Sequence, residues 1–128
     1  MISDIERCGD HIKNIAELLE DIDKDSIKFD DVLREQMKNM FEECSLSFET
    51  SIRAFVGRDS DLAREVFKID DHVDEMEAEY RETHIRRLSN KYTDAPPGII
   101  FLDCISNLER VSDHSNNIAT YVVNRENV

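Results

Sequence analysis

At 128 residues, the chain has the length of one ordinary domain. Hydrophobic residues make up 40%, enough for a core, while 3 Gly, 2 Pro and no Trp leave little material for turns, as in long helices. A net charge of −13, from 29 acidic against 16 basic residues, repels phosphate backbones and anionic lipid, which argues against nucleic acid as a partner.

Apolar spacing predicts four helices in chain order. The first runs from Ile2 to Asp21 and carries Ile5, Cys8, Ile12, Ile15 and Leu19 at steps of three and four. A polar stretch, Asp21 to Ser26, is expected to connect it to the second helix. The second helix runs from Asp30 to Val56, with Leu33, Met37, Met40, Cys44, Ser47, Ser51 and Ala54 in one seam, and Phe41, Phe48 and Phe55 widen its face. Gly57 is the expected left-handed stop, and Asp59 and Ser60 offer N-cap oxygens to the third helix. That helix shows Leu62, Val66, Ile69, Val73, Met76 and Tyr80 and continues towards Asn90. Pro96 and Pro97 interrupt the chain, and a fourth helix is expected after Gly98, with Phe101, Cys104, Leu108, Val111, Ser115, Ile118 and Val122 on its seam.

The expected fold is therefore all-α, an antiparallel up-down bundle of four long helices. The three cysteines, Cys8, Cys44 and Cys104, fall on the apolar seams without any Cys-x-x-Cys pair. They read as small core residues in a reducing cytoplasm. No run approaches the ~20 apolar residues that a bilayer demands.

An internal repeat is the most informative feature. Residues 2–16 align without gaps to residues 105–119 at a constant offset of 103, with nine of fifteen positions identical. Apolar periodicity alone would not copy Glu, Arg, Asp, His and Asn as well. An offset spanning three helices implies a three-helix module, here residues 28–126, preceded by the last helix of another module, residues 1–24.

In both copies polar residues recur every four positions: Glu6, Asp10, Asn14 and Glu109, Asp113, Asn117. Such residues stack on one helix face. Beside them stand small residues, Gly9 and Ala16 or Ser112 and Ala119, which let another helix approach. The third helix adds Asp70, Asp74 and Glu77 at helical spacing. Converging carboxylates suit a hard cation. Acidic pairs on helices more often form a solvated or salt-bridged face, with Arg7, Lys13 and Arg110 as ready partners. His11 and His114 read as exposed surface residues, and His84 as a partly buried polar one. No Glu-x-x-His step occurs, which argues against a ferritin-like diiron centre. No Ser/His/Asp pattern or Gly-rich phosphate loop appears either, so no enzyme is expected.

Ile5-Glu-Arg-Cys-Gly-Asp-His and Leu108-Glu-Arg-Val-Ser-Asp-His-Ser-Asn-Asn-Ile-Ala resemble the Glu-x-x-x-Asp signature of PhoU domains. Arg58-Asp-Ser-Asp-Leu-Ala-Arg-Glu-Val, followed by Asp70-Asp-His-Val-Asp-Glu-Met-Glu, resembles that family's middle helix. The resemblance implies a three-helix PhoU module and a regulatory role in phosphate uptake. The expected setting is the cytoplasmic tail of a sodium/phosphate cotransporter, at the inner face of the plasma membrane, with the transporter's membrane domain as partner. Its alternative is a free phosphate-signalling adaptor that binds a histidine kinase or an ABC transporter; a carboxylate-bridged metal enzyme ranks third. By the same resemblance Glu6, Asp10, Glu109 and Asp113, with Asp70 and Asp74, would ligate iron or zinc. The apolar face of the first helix is expected to be covered by a homodimer contact or by the fourth helix.

Overall fold

The computed structural model describes residues 2–24, 29–91 and 95–126. Four helices account for nearly all of them: α1 (Ile2–Lys24), α2 (Asp31–Gly57), α3 (Ser60–Ser89) and α4 (Ala95–Glu126). No strand occurs among the described residues. Helices of 23 to 32 residues are about 35–50 Å long at ~1.5 Å per residue. None is long and apolar enough to cross a membrane.

Helices α2, α3 and α4 pack mutually, and among the described residues α1 packs on α4 alone. Cross-helix bonds fix the directions. Glu43 meets His72 while Asp30 meets Arg87, so α3 runs back along α2. Asp70 meets Ser112 while Arg81 meets Ser106, so α4 runs back along α3. One part of the core joins Leu33, Met40, Val73, Met76, Phe101 and Ile105, and Ile15 reaches it from α1. The other, near the α2–α3 turn, joins Ala54, Ala63, Val66, Ala119 and Val122. Leu33, Met40, Val66, Val73 and Phe101 are fully buried, each removing enough apolar area to favour folding by roughly 1.5–3 kcal/mol. The α2 seam is buried as its spacing predicts except at Met37, which is half-buried, while Phe41 is 52% exposed.

The helix ends differ from expectation at three places. Helix α1 continues to Lys24, through the first four of the six residues expected to be a connection; residues 25–28, with the rest of that stretch, lie outside the described residues. Helix α4 begins at Ala95, with Pro96 and Pro97 inside its first turn rather than before it. A first-turn N–H has no intrahelical acceptor, so proline loses nothing there and its fixed φ suits the helix. Gly57 is the last helical residue of α2, and the left-handed position falls on Arg58, at φ 50 and ψ 45. The backbone N–H of Arg58 reaches Ala54 and Phe55, and that of Asp59 donates to the Ala54 carbonyl at 2.9 Å.

Helix α3 starts as its sequence predicts. Asp59 Oδ1 accepts from the Asp61 and Leu62 N–H groups at 3.0 and 3.1 Å. Asp59→Ala removes this cap and is expected to lower stability by about 1 kcal/mol, read as a fall in Tm of a few degrees. An unchanged Tm would show that water caps the helix equally well. Asp30 caps α2 through Leu33 N–H at 2.9 Å and also accepts from Arg87, tying the start of α2 to the end of α3.

The repeat has a structural counterpart in the α1–α4 contact. His11 Nδ1 bonds Asn107 Oδ1 at 3.1 Å, and His114 Nδ1 bonds Asp4 Oδ1 at 2.9 Å. Asn14 bonds Asn107, and Asn117 bonds Asp4. Under the offset of 103, His11 corresponds to His114, Asn14 to Asn117 and Asp4 to Asn107. Each bond therefore has its counterpart with the partners exchanged, the signature of a local two-fold axis. Cys8 and Val111, equivalent positions, meet at that axis through a thiol–carbonyl contact of 3.7 Å. The two imidazoles stack with centroids 5.6 Å apart. They are half-buried between the helices, not on an exposed surface, because the repeated strings face each other. Of the two expected covers for the apolar face of α1, the fourth helix is the one seen.

Candidate functional site: a carboxylate groove between two helices

Helices α3 and α4 lie side by side in opposite directions, and each carries acidic residues about one turn apart on its facing edge. On α3 these are Asp70, Asp74 and Glu77, and on α4 Glu109 and Asp113. Close approach follows from Ser112, which is fully buried and donates its hydroxyl to Asp70 Oδ1 at 2.9 Å. Oxygens of Asp70, Asp74 and Asp113 all lie within 4.8 Å of one another. Those of Asp74, Glu77 and Glu109 do the same, so Asp74 joins two adjacent triads in one groove.

Among the described residues one basic side chain forms an ion pair with this groove. Arg81 Nε donates to Glu77 Oε1 at 2.7 Å, and its other arm donates to Ser106 Oγ at 2.7 Å. Among the described residues no ion pair links Arg7, Lys13 or Arg110 to the groove. The Glu77–Arg81 step of four residues was legible in the sequence, but only the packing shows that Arg81 also reaches α4.

The electrostatics reflect crowding. Glu109 is pushed up to about 7, first by burial, then by a hydrogen bond shared with Glu77 and by the charges of Glu77, Asp113 and Asp74. Burial is also the leading cause that raises Asp70, Asp74 and Asp113, with neighbouring carboxylates adding to it. Cys44 is fully buried on α2; burial and then Glu43, Asp70, Asp113 and Glu109 push its thiol up to about 12. A thiol so held is a packing residue rather than a nucleophile.

The groove thus brings together four of the six residues singled out in the sequence, Asp70, Asp74, Glu109 and Asp113, and adds Glu77. Glu6 and Asp10 do not join them. Both are exposed on α1, and the small residues beside them, Gly9 and Ala16, are exposed too. The equivalent small residues of α4, Ser112 and Ala119, are buried. The same string reads differently because α3 packs on α4 and not on α1.

The fold and groove define an acidic, three-helix module with a fourth helix bound by repeat symmetry. Residues 37–122 match the PhoU domain, and the chain belongs to the PhoU domain family. It is similar to "Phosphate-specific transport system accessory protein PhoU homolog 1" of Thermotoga maritima, 34% identical over 121 residues, which cover 94% of this chain and 51% of that protein. It is also similar to "Phosphate-specific transport system accessory protein PhoU homolog" of Clostridium acetobutylicum, 29% identical over 118 residues, 92% of this chain and 52% of that protein. The chain therefore spans about half the length of these relatives. No solved structure matches it.

Proposed function

We propose that this chain is a non-catalytic accessory domain that regulates phosphate uptake through contacts with a phosphate transporter. The observation that carries this reading is the family match, joined to two relatives that both bear the name of accessory proteins of a phosphate-specific transport system. Those names favour the adaptor version over the cotransporter tail. The test is phosphate uptake by cells in which the gene is deleted and then restored with or without Asp74→Asn/Glu109→Gln. Deletion should change uptake under phosphate-rich growth, and restoration should reverse it; uptake indifferent to deletion would end the proposal.

Within this role the groove would act as a cation site. Its donors are carboxylate oxygens alone, which fit a hard cation such as ferric iron better than zinc, whose usual ligands include Cys or His. The raised pKa of Glu109, caused first by burial and then by neighbouring carboxylates, supports the fit, since a bound cation would offset both by favouring the charged form. Asp70, Asp74, Glu77, Glu109 and Asp113 would hold it, and it would supply positive charge that joins α3 to α4. Glu6 and Asp10 would take part only with groups from elsewhere, because α1 brings no further carboxylates to them among the described residues. Elemental analysis of the purified protein beside Glu109→Ala/Asp113→Ala decides this. Metal near one equivalent, lost in the double variant, is the expected result; equal traces in both would leave a solvated acidic face.

A further inference from the structure

At the α2–α3 turn, about two helical turns beyond Asp113 along α4, the charge pattern reverses. A cavity of about 200 Å³ is lined there by Phe55, Arg58, Ser60, Tyr121, Val122 and Arg125. Two guanidiniums face one small cavity in a chain of net charge −13, and neither has an acidic partner among the described residues. The acids nearest Arg58 in sequence are already engaged. Asp59 caps α3, and Asp61 pairs with Arg64 at 3.2 Å. Arg125 is held over the cavity by Tyr121, donating to its hydroxyl at 3.3 Å with the guanidinium carbon 5.6 Å from the ring centroid.

Ser60 also lines the cavity and is only 8% exposed. Arg58 occupies a left-handed backbone position that glycine fills at less strain, although Gly57 stands immediately before it. Non-glycine residues in such positions cluster at ligand clamps and switch regions.

We propose that this cavity binds a small phosphate monoester. Two guanidiniums balance its double negative charge and match the oxygen geometry of phosphate. The hydroxyl of Ser60 supplies one more donor. Phe55 and Tyr121, with ring centroids 6.1 Å apart, and Val122 form the wall against which an apolar or aromatic ester body rests. The site is separate from the carboxylate groove and does not depend on the accessory role.

The experiment is an NMR titration of amide shifts in the full chain at constant ionic strength, with phenyl phosphate and inorganic phosphate as probes. Phenyl phosphate should give saturable shifts confined to the residues around Phe55, Arg58, Ser60 and Tyr121. Arg58→Gly and Arg125→Gln should each weaken it about tenfold. Arg58→Gly also relieves the backbone strain, so its Tm should not fall, which separates lost binding from lost folding. Tighter binding of phenyl phosphate than of phosphate supports the ester form, and equal affinity supports the same site taking free phosphate. Shifts that fail to saturate, spread over the surface, or persist unchanged in both variants overturn the proposal.

Discussion

Gly98→Ala should lower the stability of this domain by about 1–3 kcal/mol, a large share of what a domain of this size possesses. Gly98 lies in the first turn of α4, where its Cα abuts the imidazole of His84 on α3. A methyl group built on Gly98 would overlap Nε2 and Cε1 of that ring. The ring has little room to retreat. His84 is 1% exposed and packs against Phe101 with centroids 5.5 Å apart. Neither of its nitrogens has a hydrogen-bond partner among the described residues, so shape alone seats it. Thermal melts should show a Tm drop of roughly 5–10 °C. His84→Ala opens the space, so in that background Gly98→Ala should cost little, a coupling above about 1 kcal/mol. Equal costs in both backgrounds would show that the chain relaxes around the methyl group.

Glu109→Gln should stabilise the metal-free domain at pH 7.5 by about 1–2 kcal/mol and change nothing near pH 4. Glu109 ionises at about 7 in the folded chain against an ordinary 4.5. Between those values the folded state keeps a proton that the unfolded chain has released, so stability falls as pH rises through that window. At ~1.4 kcal/mol per pH unit, the ceiling is near 3 kcal/mol, and solvent around a half-exposed groove reduces it to the figure given. Glutamine mimics the protonated form at every pH. Asp70, Asp74 and Asp113 are raised as well and carry the same sign. His84 acts oppositely. Burial and the charge of Arg87 depress it, so its contribution is lost as pH falls below about 6.5. Because His84 is common to both proteins, the difference in Tm between wild type and Glu109→Gln, measured in chelator from pH 4 to 8, isolates the groove. A constant difference across that range would refute the assignment of the raised pKa to Glu109.

Much of this molecule is legible from spacing. Leu33, Met40, Cys44, Val66, Val73, Phe101 and Ile118 recur at three and four residues and are all buried, because helical periodicity is a property of the local backbone. The caps at Asp30 and Asp59 follow from chemistry within three residues. The carboxylate steps Asp70–Asp74 and Glu109–Asp113 are equally local, since a four-residue step places two side chains on one face wherever the helix lies. The α4 start at Ala95 and the left-handed Arg58 were not legible, because Pro and Gly admit more than one placement and the packing of α2, α3 and α4 selects among them.

The sequence by itself determined four long helices, the buried seams of α2, α3 and α4, the Asp59 cap and a duplicated helix with its carboxylate stripe; on α1, Ile12 and Leu19 of the expected seam are 46% and 47% exposed. Only the tertiary structure decided which stripe gathers charge. Glu109 and Asp113 meet Asp70, Asp74 and Glu77 because α3 lies against α4, whereas the same letters at Glu6 and Asp10 face no helix among the described residues. It likewise turned His11 and His114 from surface residues into a stacked pair, since repeated strings packed antiparallel bring their equivalent positions together. Which residues share a face depends on one helix, but which charges meet depends on two, and that second relation is set by long-range burial.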